Sequence, residues 1–241
     1  MRNDYDGLRR LRLLHRFGNG DSVYFTTAAA GDARRLVSEG LIEKELISRT
    51  GVDVRLMTLN QIHSGVVHFL ESGDSLHATP AAADGDGMAS RESGIGLGIL
   101  VADCAPVALT SSEGVFGAVH AGWRGVFTGI LTEVVRVMRL AGATNISAYV
   151  GPSIKRECYE FKGPELDMLA DELGPSVKGC TSWGTPSLNI PEAVRRSLAT
   201  AGVFDVEASS ECTACGDGYF SFRARQSTER HLMIVVKGGQ G

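Results

Sequence analysis

The sequence predicts an α/β or α+β domain with helices packed on mixed β-sheets. Three observations carry that expectation. Short apolar runs rich in β-formers recur along the chain, stretches with apolar residues every three or four positions alternate with them, and 30 glycines in 241 residues supply tight turns between the two. No internal repeat, charge block or Ser/Pro-rich linker marks a boundary, so one domain spanning 1–241 is expected. A chain of this length buries roughly 70–75% of its unfolded surface. It needs no metal to hold its core, and a metal found in it is read as functional.

The N-terminal dozen residues, with the basic run Arg9-Arg10-Leu11-Arg12, are expected to be loose and solvated. Residues 33–50 set Leu36, Val37, Leu41 and Leu46 at helical spacing, with Gly51 placed as a C-cap. Residues 54–59 read as a strand leading to Gln61-Ile62-His63-Ser64, and 66–70 as a second strand. Residues 76–87 are small, polar and Asp/Gly-bearing, as a surface loop should be. Asp84 and Asp86 in it read as turn residues, because the later Glu of a calcium loop is missing. Residues 96–102, 107–110 and 115–119 are apolar runs expected as buried strands, and Ala121-Gly122-Trp123-Arg124-Gly125 then opens a helix over 126–141. A strand over 147–150, helices over 165–173 and 191–201, and strands over 219–222 and 233–236 complete the reading.

Composition excludes several partners. Lys and Arg total 24 against 28 Asp and Glu, a net charge of -4 that gives no electrostatic basis for binding nucleic acid or an anionic membrane. The longest apolar stretch, 95–102, falls far short of the ~20 residues that span a bilayer. No apolar region of the signal-peptide kind follows the N-terminus, so a cytoplasmic location is expected. In a reducing compartment the five cysteines, an odd number, are free thiols or ligands rather than a disulfide framework.

His63, Cys104 and His120 each lie at or just beyond the end of a predicted strand, where ligand sites gather in α/β sheets. Two imidazoles and a thiolate meet the need of a catalytic zinc for three protein ligands and one open position. On residue type alone the constellation is weakly specific, because a histidine at a strand end is more often a hydrogen-bonded core or surface residue. The turn from Gly122 to Gly125 presents N–H groups and Arg124 near His120, either for an anion or merely as a tight turn with a solvated arginine. Cys212-Thr213-Ala214-Cys215 reads as a coincidental C-x-x-C. Turn residues follow it, where a thioredoxin-like motif should open a helix, and the remaining Cys158 and Cys180 stand at no recognised zinc spacing.

Gln61-Ile62-His63-Ser64, then Val101-Ala102-Asp103-Cys104-Ala105-Pro106-Val107, then Ala118-Val119-His120-Ala121-Gly122-Trp123-Arg124-Gly125 resemble, in order, three motifs of the YfiH-type family. That family has long been labelled laccase-domain or multi-copper polyphenol oxidoreductase. The resemblance continues through Gly151-Pro152-Ser153-Ile154, Cys158-Tyr159-Glu160, Cys212-Thr213 and Phe220-Ser221-Phe222-Arg223, and covers roughly 54–236. It implies a single domain of sandwiched mixed sheets and a zinc enzyme of purine nucleosides. The implied reactions are phosphorolysis of inosine, guanosine, adenosine and methylthioadenosine, and hydrolytic deamination of adenosine. Its metal ligands carry over onto His63, Cys104 and His120. Gln61, Arg124 and Arg223 are then substrate-binding candidates, and Asp103 is a candidate proton donor or a residue that orients a neighbour, beside Cys104 in the catalytic set.

The sequence departs from the family where an Arg followed by Gly-Gly-Val-Ser is usual. The stretch Phe25-Thr26-Thr27-Ala28-Ala29-Ala30-Gly31-Asp32 lacks it, and Ala224 and Glu229 replace a common Arg and Gly further on. Two alternatives stand beside the zinc enzyme. A copper polyphenol oxidase shares the two-His, one-Cys core, but only His15, His68, His77 and His231 remain for further copper ions, without paired spacing. A non-catalytic metal-binding relative is the other. Purine nucleoside and phosphate are the expected partners, and both monomer and homodimer stay open.

Overall fold

The computed structural model describes residues 10–71 and 83–238. The chain opens with β1 (Leu11–Arg16), β2 (Ser22–Thr26), α1 (Ala33–Ser38), α2 (Leu41–Thr50), β3 (Arg55–Met57) and β4 (Val67–Leu70). Then come β5 (Gly87–Ser90), β6 (Ile95–Val101), β7 (Ala105–Ser111), β8 (Phe116–Ala121), α3 (Trp123–Phe127), α4 (Ile130–Leu140) and β9 (Ile146–Val150). The C-terminal part holds α5 (Pro164–Leu173), β10 (Lys178–Cys180), β11 (Pro186–Leu188), α6 (Ile190–Thr200), β12 (Asp205–Ala208), α7 (Phe222–Arg225) and β13 (His231–Val236).

Two mixed sheets form, ordered β1-β2-β13-β6-β3 and β12-β9-β7-β8-β5-β4, with β10 and β11 a separate pair. The parallel neighbours are β3 with β6, β4 with β5 and β9 with β12; the others run antiparallel. The period-2 alternation of strands decides the layering. In β13, Met233 and Val235 join Phe25, Leu97, Ile99, Phe116 and Ala118 in a core between the two sheets. Leu232, Ile234 and Val236 point the other way, onto Ile42 and Leu46 of α2. On the far side, Val107, Leu109 and Val119 pack against Val134 and Met138 of α4 and against α5 and α6. The result is sheet on sheet with helices covering each outer face, the mixed α+β sandwich expected. Strands β7 and β8 are buried on both faces, which explains their continuous apolar runs.

Several elements differ from expectation for local reasons. Helix 33–50 is two helices, because Gly40 takes a left-handed φ of 65° between α1 and α2. Gly129, with φ 80°, likewise divides the helix expected over 126–141, and the first piece starts earlier, at Trp123. Residues 219–222 are not a strand: the buried Ser221 caps α7 by accepting from the Ala224 N–H. Leu11 and Arg12, expected loose, belong to β1, where Leu11 is buried over α2. This edge strand alternates leucines with charge, so it lacks the apolar run that marks an inner strand. Residues 1–9, and the part of the expected 76–87 loop up to residue 82, lie outside the described residues.

Candidate metal centre

The sandwich brings His63, Cys104 and His120 together at one end. One donor atom from each lies within 4.8 Å of the others, and the two imidazole rings stand edge to face with centroids 4.8 Å apart. Strand geometry sends them there. His120 follows Phe116 and Ala118 on the inner face of β8, while Cys104 sits in the turn between β6 and β7. His63 is on the loop after β3, and its φ of 61° is a left-handed conformation uncommon for a side-chain-bearing residue.

Asp86 organises these three candidate ligands. Fully buried, its carboxylate accepts from His120 Nδ1 at 2.8 Å, from the backbone N–H groups of His63 (3.0 Å) and Ser64 (2.5 Å), and from Ser64 Oγ at 2.8 Å. The backbone N–H of His120 in turn donates to the Asp86 carbonyl at 2.7 Å. The Nδ1 contact fixes the ring and leaves Nε2 facing Cys104 and His63, the carboxylate–histidine arrangement that commonly supports a metal. Asp86 is therefore no surface turn residue, as its Asp-Gly context suggested; its burial, invisible in the local sequence, gives it this position.

Charge within the cluster is balanced. Burial pushes the Cys104 thiol up, but donors from His120 and His63 outweigh it and bring the pKa to about 6. His120 is pushed down by burial, yet Asp86 and Cys104 lift it to about 9. Burial also pushes Asp86 up, against which His120 and Ser64 hold it at about 2. The thiolate that a metal requires is thus the favoured form near neutral pH.

Gly122 makes room for the ligands. A Cβ there would lie 3.1 Å from Cys104 Sγ and 3.1 Å from His63 Cδ2, closer than a side chain is accommodated without displacing them. Its φ of -75° is ordinary, so it is clearance and not backbone freedom that favours glycine. A buried, oriented imidazole, a second imidazole, a thiolate and this clearance fit a first-row divalent cation, and the donor types suit zinc and copper alike.

Two cavities meet at the cluster. One of about 500 Å3 is lined by Asn60, Gln61, His63, Cys104, His120 and Phe222, with Arg34 and Arg230 also on its wall. The other, about 190 Å3, shares His63, Cys104 and Phe222 and adds Asp103, Arg124 and Arg223. Arg124 is exposed and stacks over the Trp123 ring at 4.7 Å. Arg223 lies over Tyr159 at 4.9 Å and donates to the Glu160 carbonyl. Gln61 spends both ends of its amide on the backbone of Leu100, at 2.8 Å each. Asp103, with φ 91°, accepts from Thr213 Oγ1 (2.7 Å), Ser221 Oγ (3.0 Å) and the Arg223 N–H (2.7 Å). The sequence did not single out Arg34 or Arg230. Their signal is three-dimensional: Asp32 accepts from the Arg34 guanidinium and from the Arg230 backbone N–H, tying both to one wall.

Among the described residues, the other histidines stand apart from the cluster. His15 stacks on Tyr149, His68 Nε2 meets the Asp84 carbonyl, and His231 is enclosed in the core. His77 lies outside the described residues. No helix among the described residues is long and apolar enough to cross a membrane.

Comparison with known proteins agrees with the motifs. Residues 25–237 match the family model described as multi-copper polyphenol oxidoreductase laccase. Among curated proteins, "Purine nucleoside phosphorylase ORF3" of Streptomyces griseus is 36% identical over 186 residues, covering 75% of this chain and 74% of the relative. "Purine nucleoside phosphorylase SCO2081" of Streptomyces coelicolor is 34% identical, with 78% of each chain covered. The crystal structure of YlmD from Geobacillus stearothermophilus superposes with a TM-score of 0.77 at 27% identity, over 92% of this chain and 93% of that one. The hypothetical protein YfiH of Bacillus licheniformis has the same fold, with a TM-score of 0.77 at 23% identity, covering 90% of this chain and 92% of that one. Its sequence and its fold together place the chain in the multi-copper polyphenol oxidoreductase laccase family.

Proposed function

We propose that the chain is a zinc-dependent purine nucleoside phosphorylase acting on inosine, guanosine, adenosine and methylthioadenosine, and that it also deaminates adenosine hydrolytically. The observation that carries this reading is the meeting, at His63 and Cys104, of a roughly 500 Å3 cavity with a roughly 190 Å3 one bordered by Arg124 and Arg223. The larger suits a nucleoside and the smaller an anion. The names of the relatives, purine nucleoside phosphorylase, support it.

Zinc held by His63, Cys104 and His120 supplies Lewis-acid polarisation of a substrate or water oxygen. The chain's own residues do the rest. The guanidinium groups of Arg124 and Arg223 orient phosphate, one of whose oxygens forms a bond to the ribose anomeric carbon. The bond from that carbon to the purine nitrogen breaks, and the electron pair leaves with the base. Phe222, half exposed on the rim of both cavities, offers a ring face to the purine. Arg34 and Arg230 place guanidinium groups on the nucleoside wall of a chain that lacks the family's usual N-terminal Arg.

Asp103 acts as a positioning residue. Its carboxylate is already engaged by three donors, so it anchors the Arg223 backbone and does not hand over a proton. Gln61 acts in the same indirect way, fastening the His63 loop to β6.

Incubating metal-loaded protein with inosine and phosphate tests the reading, with hypoxanthine and ribose 1-phosphate as the expected products. Adenosine without phosphate should yield inosine if the deaminase activity is present. Elemental analysis separates zinc from the copper suggested by the family's description. If zinc-saturated protein releases no hypoxanthine, the phosphorylase reading is overturned and the chain is a metal-binding relative without this activity.

A further inference from the structure

A second cysteine-rich cluster lies outside the centre described above. Cys158, Cys212 and Cys215 have sulfurs within 4.8 Å of one another, and all three are free thiols. Three sulfurs around one tetrahedral zinc at ~2.3 Å stand about 3.8 Å apart, which this spacing accommodates. Cys158, judged unrelated to the C-x-x-C pair on spacing, joins it through tertiary structure. The segment after β9 runs beside the pair, with a parallel bridge from Ser153 to Cys212 and the Thr213 N–H donating to the Ser153 carbonyl.

The local backbone is shaped around the sulfurs. The Lys155 N–H points at Cys212 Sγ, 3.4 Å away, and the N–H groups of Ala214 and Cys215 also donate to it. Gly216 donates its N–H to the Cys212 carbonyl at 2.9 Å, and a Cβ there would lie 2.5 Å from that oxygen, so only glycine closes the turn. Arg225 clamps the outside of the turn by donating to the Ala214 and Gly216 carbonyls. A C-x-x-C-Gly turn whose N–H groups converge on the first sulfur stabilises a thiolate and orients it toward a cation.

We propose that Cys158, Cys212 and Cys215 bind a second, thiophilic metal ion, zinc being the expected occupant, which clips the segment after β9 to the 212–216 turn. Cys158 also lines a cavity of about 600 Å3, together with Glu160, Trp183, Ala214 and Arg223. The clip has a reason to exist in this fold. Thr213, between the two turn cysteines, holds Asp103, which in turn holds the Arg223 backbone. Fixing the turn therefore fixes one wall of the first centre, whatever reaction that centre performs.

Metal counting under reducing, anaerobic conditions tests the proposal. Zinc-reconstituted wild type should carry two zinc ions per chain after desalting, and Cys158→Ser or Cys215→Ser should carry one. Cys180→Ser, at an exposed thiol that belongs to neither group, should still carry two. Cobalt added to metal-free Cys104→Ser gives a spectroscopic readout, because the only thiolates left in either group are the three proposed here. One equivalent should produce thiolate-to-cobalt absorption, and a further Cys215→Ser change should remove about a third of it. A wild-type count of one, an unchanged count in both serine variants, or no thiolate absorption in Cys104→Ser would each overturn the site. So would a mass 2 Da low, traced by peptide mapping to a disulfide within the trio in freshly prepared protein. Retention of one zinc in the serine variants shows that they are folded.

Discussion

His120 reaches its ligand geometry because another residue holds its far nitrogen, so the sharpest test at the scale of single residues lies at Asp86. Replacing it with Asn keeps the shape but loses the charge that faces His120 Nδ1 at 2.8 Å. Asp86→Asn is expected to weaken zinc binding 10- to 100-fold, as outer carboxylates commonly do, measured by competition with a chelator of known affinity. An unchanged affinity would show that the His120 ring is oriented without it. The three candidate ligands were legible in the sequence because the motifs around them are specific, although in the fold His63 lies on the loop after β3, Cys104 in the β6–β7 turn and His120 within β8. Asp86 was not legible: Asp84-Gly85-Asp86-Gly87 has the composition of a turn, and only burial against His120 and the 62–64 backbone reveals its work.

Among the elements, α7 joins fold to site most closely. Ser221 Oγ accepts from the Ala224 N–H at 3.0 Å and donates to Asp103 at 3.0 Å, so one hydroxyl starts the helix and ties it to the β6–β7 turn. Ser221→Ala removes both bonds and leaves buried groups unpaired, at a cost of about 1–3 kcal/mol. Because Arg223 sits two residues on, the KM for phosphate is expected to rise several-fold while kcat changes little. Loss of stability with an unchanged KM would separate the cap from anion binding. This helix escaped the sequence because Tyr219, Phe220 and Phe222 are strong β-formers, and the cap, a tertiary feature, prevailed over their propensity. The divisions at Gly40 and Gly129 were hidden in another way: periodicity carries on across a single left-handed glycine although the helix does not. Inner strands β6, β7 and β8 stand out through apolar runs, whereas edge strand β1 alternates with charge and its first two residues, Leu11 and Arg12, read as the end of a loose terminus.

Across the whole molecule the sandwich carries a built-in sensitivity to acid. His231 on β13 is fully buried: its Nδ1–H donates to the Thr26 carbonyl at 3.0 Å and its Nε2 accepts from the Phe220 N–H at 2.6 Å. Burial, opposed by the Thr26 carbonyl, lowers its pKa to about 4 from the ordinary 6.5. Between those values the unfolded chain holds a proton that the folded one does not, so the stability from this residue is present above pH 6.5 and is lost as pH falls toward 4. The loss from pH 7 to pH 4 is about 3 kcal/mol for a group so enclosed. Urea unfolding at pH 7.5 and pH 4.5 should show it, and His231→Asn should lose less stability over that interval than wild type. Equal pH dependence in the two proteins would assign the acid sensitivity elsewhere.

At the same scale, the proposed role of the two sheets and their helical covers is to bring three candidate ligands, distant in sequence, to a reacting nucleoside. The rate of hypoxanthine release from inosine, followed on one preparation before chelation, after metal removal and after zinc is returned, reads that arrangement as a unit. Phosphate-dependent release should fall to background on removal and recover with zinc, while Cys104→Ser stays at background throughout. A rate indifferent to stripping, or a Cys104→Ser protein as active as wild type, would contradict a metal at His63, Cys104 and His120 as the seat of the chemistry.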